Sequence, residues 1–320
     1  MNQRKLIKLG NSSYAIALPK DWIKKSGLKK GDNVFLEENS GGEIVLWSEL
    51  KKNNEEQTTE INIGDKDLKI IRKEIVSAYT NGSTSIILTG KKEKSQMKEI
   101  KEFIKSLLSF EIIENSSEKI VAKDFFNLEE SNMSNFITRI DNNIKEMFSV
   151  ISSSIESGNP SQKELEELES IDIDTTKFYY LISRLFFKGI GNPSVINTLG
   201  TDNMRIFNEW WIAYNLEHVG DKVKEIAKTI KTSKLTKKDR KLISEIFSQI
   251  SETYSNSLMS FDKKDKKLAI NAAGIGKSIY AECDKLSQRR EISIAKLGIL
   301  FKELENNFYQ TLKMVMYSKI

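Results

Sequence analysis

Apolar and polar residues change rhythm twice along this chain. From residue 127 onward apolar positions recur every three to four residues, the period of an amphipathic helix. Six helices are predicted, at 131–157, 161–188, 202–231, 236–261, 265–289 and 292–318. Gly158-Asn159-Pro160, Gly189 to Pro193, Thr232-Ser233 and Phe261-Asp262 interrupt them. Their similar lengths suggest a pair of three-helix bundles, about 127–231 and 236–320. Residues 1–50 read instead as short strands and turns. RKLIKLG alternates and stops at Gly10, and SYAIALP stops at Pro19. Lys20 to Ser26 allows a short helix closed by Gly27. LKKGDNVFLEE then turns into a strand, and Gly41-Gly42 makes a hairpin into EIVLWS. The polar run 51–64 predicts a linker. Residues 65–122 mix both periods: DLKIIRKEIVSAY, with Leu68, Ile71, Ile75 and Ala78 on one stripe, and KSQMKEIKEFIKSLLS are helical. TSIILT, FEIIEN and KIVAKDF are strands. The chain is therefore expected to be α+β and multidomain: a small β-rich head, an α/β connecting segment and an all-α C-terminal region.

Composition narrows this picture. Charged residues at 30%, hydrophobic ones at 39%, 3 Pro and 16 Gly suit a soluble, helix-rich protein. The sequence has no run of about 18 apolar residues, so no integral membrane helix is expected. The first residues lack an apolar export core, and Cys283 is the single cysteine; both fit a cytoplasmic location. His218 is the single histidine, so any metal must be held mainly by carboxylates. The net charge of +5 is uneven, with eight Lys/Arg in residues 1–33 against Asp21 and Asp32. That excess can attract a polyanion or can simply be a solvated surface.

The head carries an ordered set: Lys8, Gly10, Ser12, Ile16, Leu18, Pro19, Lys20 and Trp22, then Gly27, Leu28, Lys29, Gly31, Asp32 and Val34. This set resembles the SpoVT/AbrB-type swapped-hairpin domain. The resemblance implies an obligate homodimer with interleaved strands and a DNA-contacting surface. About fifty residues in four short strands bury too little apolar area to be comfortable alone, which agrees with pairing. Arg4, Lys5, Lys8 and Lys20 are the expected phosphate contacts. A head used only for dimerisation is the alternative, because no residue is a clear base reader.

In the third predicted helix, Leu216, Val219, Val223, Ile226 and Ile230 form the inward stripe. Glu217 and Asp221 lie nearly opposite, one turn apart, and two carboxylates at that spacing can share a hard cation. The sequence L-E-H-V-G-D-K-V-K-E-I-A-K resembles the signature helix of the PhoU family of phosphate-uptake regulators. The segment 65–122 resembles the connecting segment of archaeal proteins that fuse an AbrB-like head to a PhoU-like body. The PhoU resemblance implies a divalent or iron cation on Glu217 and Asp221, with Asp172 and Asp174 (beside Glu169) as further ligands. Thr176 stands where another acid is expected. In the second bundle Glu303 and Asn307 fall at the pair's place and Asp284 precedes them beside Glu282, so weaker binding or none is expected there. His218 is expected to be a surface contact. Phe207, Trp210, Trp211 and Tyr214 are expected to fill a seam, either between bundles or against a partner; a stacking surface for bases is the alternative. The basic run from Lys222 to Arg240 is a solvated helix end or a surface for an anionic partner.

No phosphate-cradling Gly-rich loop and no nucleophile–histidine pair is present, so an enzyme is not expected. The expected function is phosphate homeostasis: a DNA-binding regulator whose body relays phosphate status to or from a transporter or sensor protein. A non-DNA-binding adaptor that inhibits a transporter is the alternative. A toxin–antitoxin-type binder is a third reading, which the long body disfavours.

Overall fold

A computed structural model describes residues 3–38, 42, 44–48 and 57–317. The chain divides into two compact units, Met1–Glu55 and Glu56–Ile320.

In the first unit β1 (Leu6–Leu9) pairs antiparallel with β2 (Ser13–Ile16), with Leu6 opposite Ile16 and Lys8 opposite Tyr14. The connecting turn uses Gly10 at φ 68°, a left-handed conformation that glycine adopts without a Cβ penalty. A short helix, α1 (Lys20–Lys25), follows Pro19. Then β3 (Phe35–Glu38) pairs antiparallel with β4 (Ile44–Trp47). Gly41 of the expected hairpin lies outside the described residues; Gly42 has φ 76°. No described residue of this unit is buried. Leu6, Ile7, Leu9, Tyr14, Ile16, Leu36 and Ile44 each expose more than half of their surface. In β1, Leu6 and Ile7 point to opposite faces, so both faces of the hairpin are apolar and uncovered.

The second unit opens with an α/β layer. β5 (Thr58–Asn62), α2 (Leu68–Thr80), β6 (Ser85–Thr89), α3 (Lys94–Ser106), β7 (Phe110–Asn115) and β8 (Lys119–Asp124) form a four-stranded sheet in the order β5-β6-β8-β7. β5 runs parallel to β6, and the other pairs are antiparallel. Ile61, Ile71, Ile75, Ile86, Leu88, Ile100 and Ile120 build its core. Fully burying each such side chain is worth roughly 1.5–3 kcal/mol. β5 corrects the sequence reading, which placed Thr58–Asn62 in a linker. Its only strong apolar residue is Ile61, and pairing with β6 supplies what the local pattern does not signal.

Seven helices follow among the described residues: α4 (Met133–Ser157), α5 (Gln162–Gly189), α6 (Pro193–Thr198), α7 (Asn203–Thr232), α8 (Lys237–Asp262), α9 (Lys266–Ser287) and α10 (Ile292–Tyr317). Capping boxes at Ser161/Glu164 and Thr236/Asp239 start α5 and α8, and Gly158 at φ 75° ends α4. The short α6 was not expected. Asn192 caps it and Pro193 starts it, but one and a half turns carry no readable period. Ile144, Val219, Ile250 and Phe301 belong to one continuous cluster, so the two sets of helices share a core.

The α/β layer is packed on the helices rather than strung between domains, with α2 against α5. Arg184 of α5 is fully buried in this junction. It donates to the Tyr79 carbonyl at 2.5 Å and to the Asp124 carboxylate. Its guanidinium lies 5.0 Å from the Tyr79 ring centroid and 5.3 Å from that of Phe110.

Candidate carboxylate cluster and nucleic-acid interface

The helix α7 carries Glu217 and Asp221 against α5, and here packing departs from the wheel. Glu217 is only 18% exposed, whereas Asp221 is 58% exposed. Asp172 of α5 faces Gly220, whose missing side chain makes room: a Cβ there would sit 3.1 Å from Asp172 Oδ1. Lys224, one turn beyond Asp221, places its Nζ 2.5 Å from Asp172 Oδ2 and 3.0 Å from Asp221 Oδ1. Burial pushes the Asp172 carboxyl above the usual carboxylate range, against the pull of Lys224. Burial first, and the Asp221 charge second, raise Glu217 as well. Burial disfavours the charge on Lys224, but its bonds to Asp172 and Asp221 outweigh that and raise its pKa.

The expected metal site is therefore not assembled. The cation between Asp172 and Asp221 is the chain's own ammonium group. Asp174 is 56% exposed and pairs with Lys177 of its own helix at 2.8 Å, apart from the cluster. Among the described residues no group of three or more His, Cys, Asp or Glu is arranged to hold a metal ion. A hard cation would need about six oxygens, and this donor set with an interposed lysine does not fit one. His218 Nδ1 lies 2.8 Å from the Tyr214 carbonyl and 3.2 Å from Glu217 Oε2. Both neighbours are acceptors, so Nδ1 carries a proton.

In the second bundle Glu303 pairs with Lys222 of α7 at 2.6 Å, and Asp284 pairs with Lys302 at 2.6 Å. These two acids hold different lysines and do not converge on one ion. Sequence reasoning missed the acid that is buried here, Glu305. It is 4% exposed, and its Oε1 has no hydrogen-bond partner. Gly276 of α9 leaves it room; a Cβ there would lie 2.7 Å from Glu305 Oε2. Lys224 was read only as part of the basic run, and Arg184 was missed. The signal for Arg184 was present, a lone cation within LISRLFF.

The aromatic residues of α7 lie against α5 without being buried: Trp210, Trp211 and Tyr214 are half-buried, and Phe207 is exposed. Trp210 stacks on Phe186 of α5, with centroids 4.6 Å apart at 10°, and donates to Ser183 Oγ at 3.2 Å. Of the basic run, Lys231 donates to the Pro160 carbonyl, and Arg240 to those of Glu156 and Ser157. These bonds close a helix end.

In the head Arg4 and Lys5 precede β1, Lys8 lies on β1 opposite Tyr14, and Lys20 opens α1; all four are exposed. Residues 7–57 match the family described as Antidote-toxin recognition MazE, bacterial antitoxin. The chain thus carries a MazE/AbrB-type domain ahead of its helical body. Comparison with curated proteins and with solved structures gave no match. Domains of the MazE/AbrB type typically bind DNA and dimerise. The open apolar faces of this MazE-type head agree with such pairing, because isolated two-stranded hairpins are marginal at best. No helix among the described residues is long and apolar enough to cross a membrane.

Proposed function

We propose that this protein is a cytoplasmic, dimeric, DNA-binding regulator of phosphate uptake. The MazE-type head grips DNA, and a PhoU-like body relays phosphate status through contact with a transporter or sensor protein. The observation that carries the DNA part is the head itself: exposed Arg4, Lys5, Lys8 and Lys20 around a hairpin whose apolar faces await a second copy. The phosphate part rests on the resemblance of the α7 sequence to the PhoU signature. Nothing in this reading is catalytic.

DNA binding measured by fluorescence anisotropy should weaken steeply as salt rises. Lys8→Ala or Lys20→Ala should each lower the log–log slope by about 1 per phosphate contact removed. Affinity that ignores salt would sink the DNA part. Mapping DNA occupancy in phosphate-replete and phosphate-starved cells tests the rest; enrichment away from phosphate-transport genes counts against it. A divalent or iron cation enters this reading only as a competitor of Lys224. Lys224→Met should tighten manganese binding by about tenfold or more, since a nearby positive charge is removed; calorimetry reads this directly.

An adaptor that binds a protein instead of DNA is the second reading. Phe187, Ile190, Met204 and Phe207 favour it, being 48%, 50%, 68% and 40% exposed on α5, the turn beyond it and α7. Salt-independent or absent DNA binding, with retained binding to a transporter, is its signature.

A further inference from the structure

The two edges of the four-stranded sheet differ. Along β7 the register breaks between Ile112 and Glu114, and bulges and charges of this kind close an edge to further pairing. β5 keeps unbroken register with β6 over its whole length. In a parallel pair, alternate residues turn their backbone groups toward the neighbour. The Gln57 carbonyl accepts from Thr84 and Ser85, and the Ile63 N–H donates to Thr89. Residues 57, 59, 61 and 63 therefore face β6. The N–H and C=O groups of Thr58, Glu60 and Asn62 point to an edge that no strand among the described residues pairs with. Beside that edge lies a groove of about 330 Å³ between β5 and α2, lined by Thr59, Glu60, Lys66, Glu74, Ser77 and Asn81. The small Ser77 and Ala78 keep α2 from filling it. An unpaired edge next to a helix is the setting in which an extended chain adds as a further strand.

We infer that the strand filling this edge is β5 of a second copy, running antiparallel, so that the sheets of two copies join across a two-fold axis. Antiparallel pairing of identical strands satisfies both free edges at once. The inference rests on the dimeric head of the reading above. Residues 48–57 connect β4 to β5 and span at most about 35 Å. A head dimer thus confines two β5 strands to a shared volume, at an effective concentration on the order of millimolar. Register is set by charge. Glu60 opposite Glu60 is repulsive, whereas Glu60 opposite Asn62 is complementary. The Asn62 Oδ1 already accepts from the Gly64 N–H at 2.9 Å, which leaves its amide N–H groups to donate to Glu60 of the second copy. In this register the two Glu60 Cα atoms lie about 8 Å apart.

The test uses the full chain with Cys283→Ser and Glu60→Cys, spin-labelled at the new thiol, with the mass taken by light scattering. A dimer with the two labels within about 20 Å supports the pairing. Adding Asn62→Pro should separate the labels while the mass stays dimeric, because it deletes one outward N–H and leaves the β5–β6 bonds intact. A dimer with distant labels overturns the inference and leaves the dimeric head standing. A monomer overturns both. Amide exchange on the unsubstituted protein gives an independent reading: slow exchange at Glu60 and Asn62 is expected. Slow exchange together with distant labels means another peptide occupies the edge, and overturns the inference.

Discussion

At the residue scale the chain places charges where water cannot reach them and treats each one differently. Arg184 is matched by a carboxylate, a carbonyl and two aromatic faces. Asp172 is matched by Lys224. Glu305 has only a bond from Thr253 to set against burial, which pushes its carboxyl up to about 8. In the unfolded chain it ionises in the ordinary carboxylate range, so between that range and pH 8 only the folded state keeps the proton. Its contribution to stability is complete at acid pH and falls by about 1.4 kcal/mol per pH unit across this window. Glu305→Gln should flatten that slope and leave the protein more stable than wild type at pH 8, as read by urea unfolding between pH 5 and 9. An unchanged slope would falsify the buried-acid account. The sequence could not single out Glu305, because it sits two residues from the partly exposed Glu303 and both read as surface acids. Glu217 and Asp221 were legible as a pair; that a lysine from the next turn would neutralise their neighbour was not.

At the element scale the helices were the most legible part of the fold. Their period and the interruptions at Gly158-Asn159-Pro160, Gly189 to Pro193, Thr232-Ser233 and Phe261-Asp262 placed the ends of α4, α5, α7, α8, α9 and α10 within two residues. What the pattern could not convey is how closely two helices approach. Gly298 of α10 lies against α9: a Cβ there would meet Ser287 N at 2.5 Å and Cys283 O at 2.8 Å. Gly274 of α9 has nothing within 4 Å. Gly274→Ala should stabilise by about 1 kcal/mol through helix propensity. Gly298→Ala has the same propensity gain, but overpacking against backbone costs about 1–3 kcal/mol or more, and the net effect should be destabilising. Thermal melts of the two variants should shift in opposite directions. In sequence the two glycines are indistinguishable, each a glycine inside a helical pattern. β5 and α6 were missed for other reasons: Ile61 is the only strong apolar residue of β5, and α6 starts at Pro193, within a run that reads as an interruption.

At the scale of the whole molecule the head and the rest of the chain hold themselves together by different means. Glu56–Ile320 has continuous cores, and its stability belongs to the single chain. The head has no buried described residue, and a head that pairs as proposed has its folding linked to association, which shifts with concentration. Calorimetry of the full chain should show a transition whose midpoint rises with protein concentration beside one that does not move. Two concentration-independent transitions would rule out a head that folds by pairing.

The sequence by itself determined the order of the elements other than β5 and α6, the division into a β-rich head and a long helical body, and the type of the head. These depend on local spacing, which a linear pattern records: alternation for strands, three-to-four periodicity for helices, Gly and Pro at their ends. The tertiary structure alone decided which charges meet. Lys224 finds Asp172, fifty-two positions away, and Arg184 finds Asp124, sixty away. It also turned an acidic motif that reads as a cation site into one already balanced by the chain's own lysine. Neutralising a buried charge depends on distance in space, and only the packed fold supplies that distance.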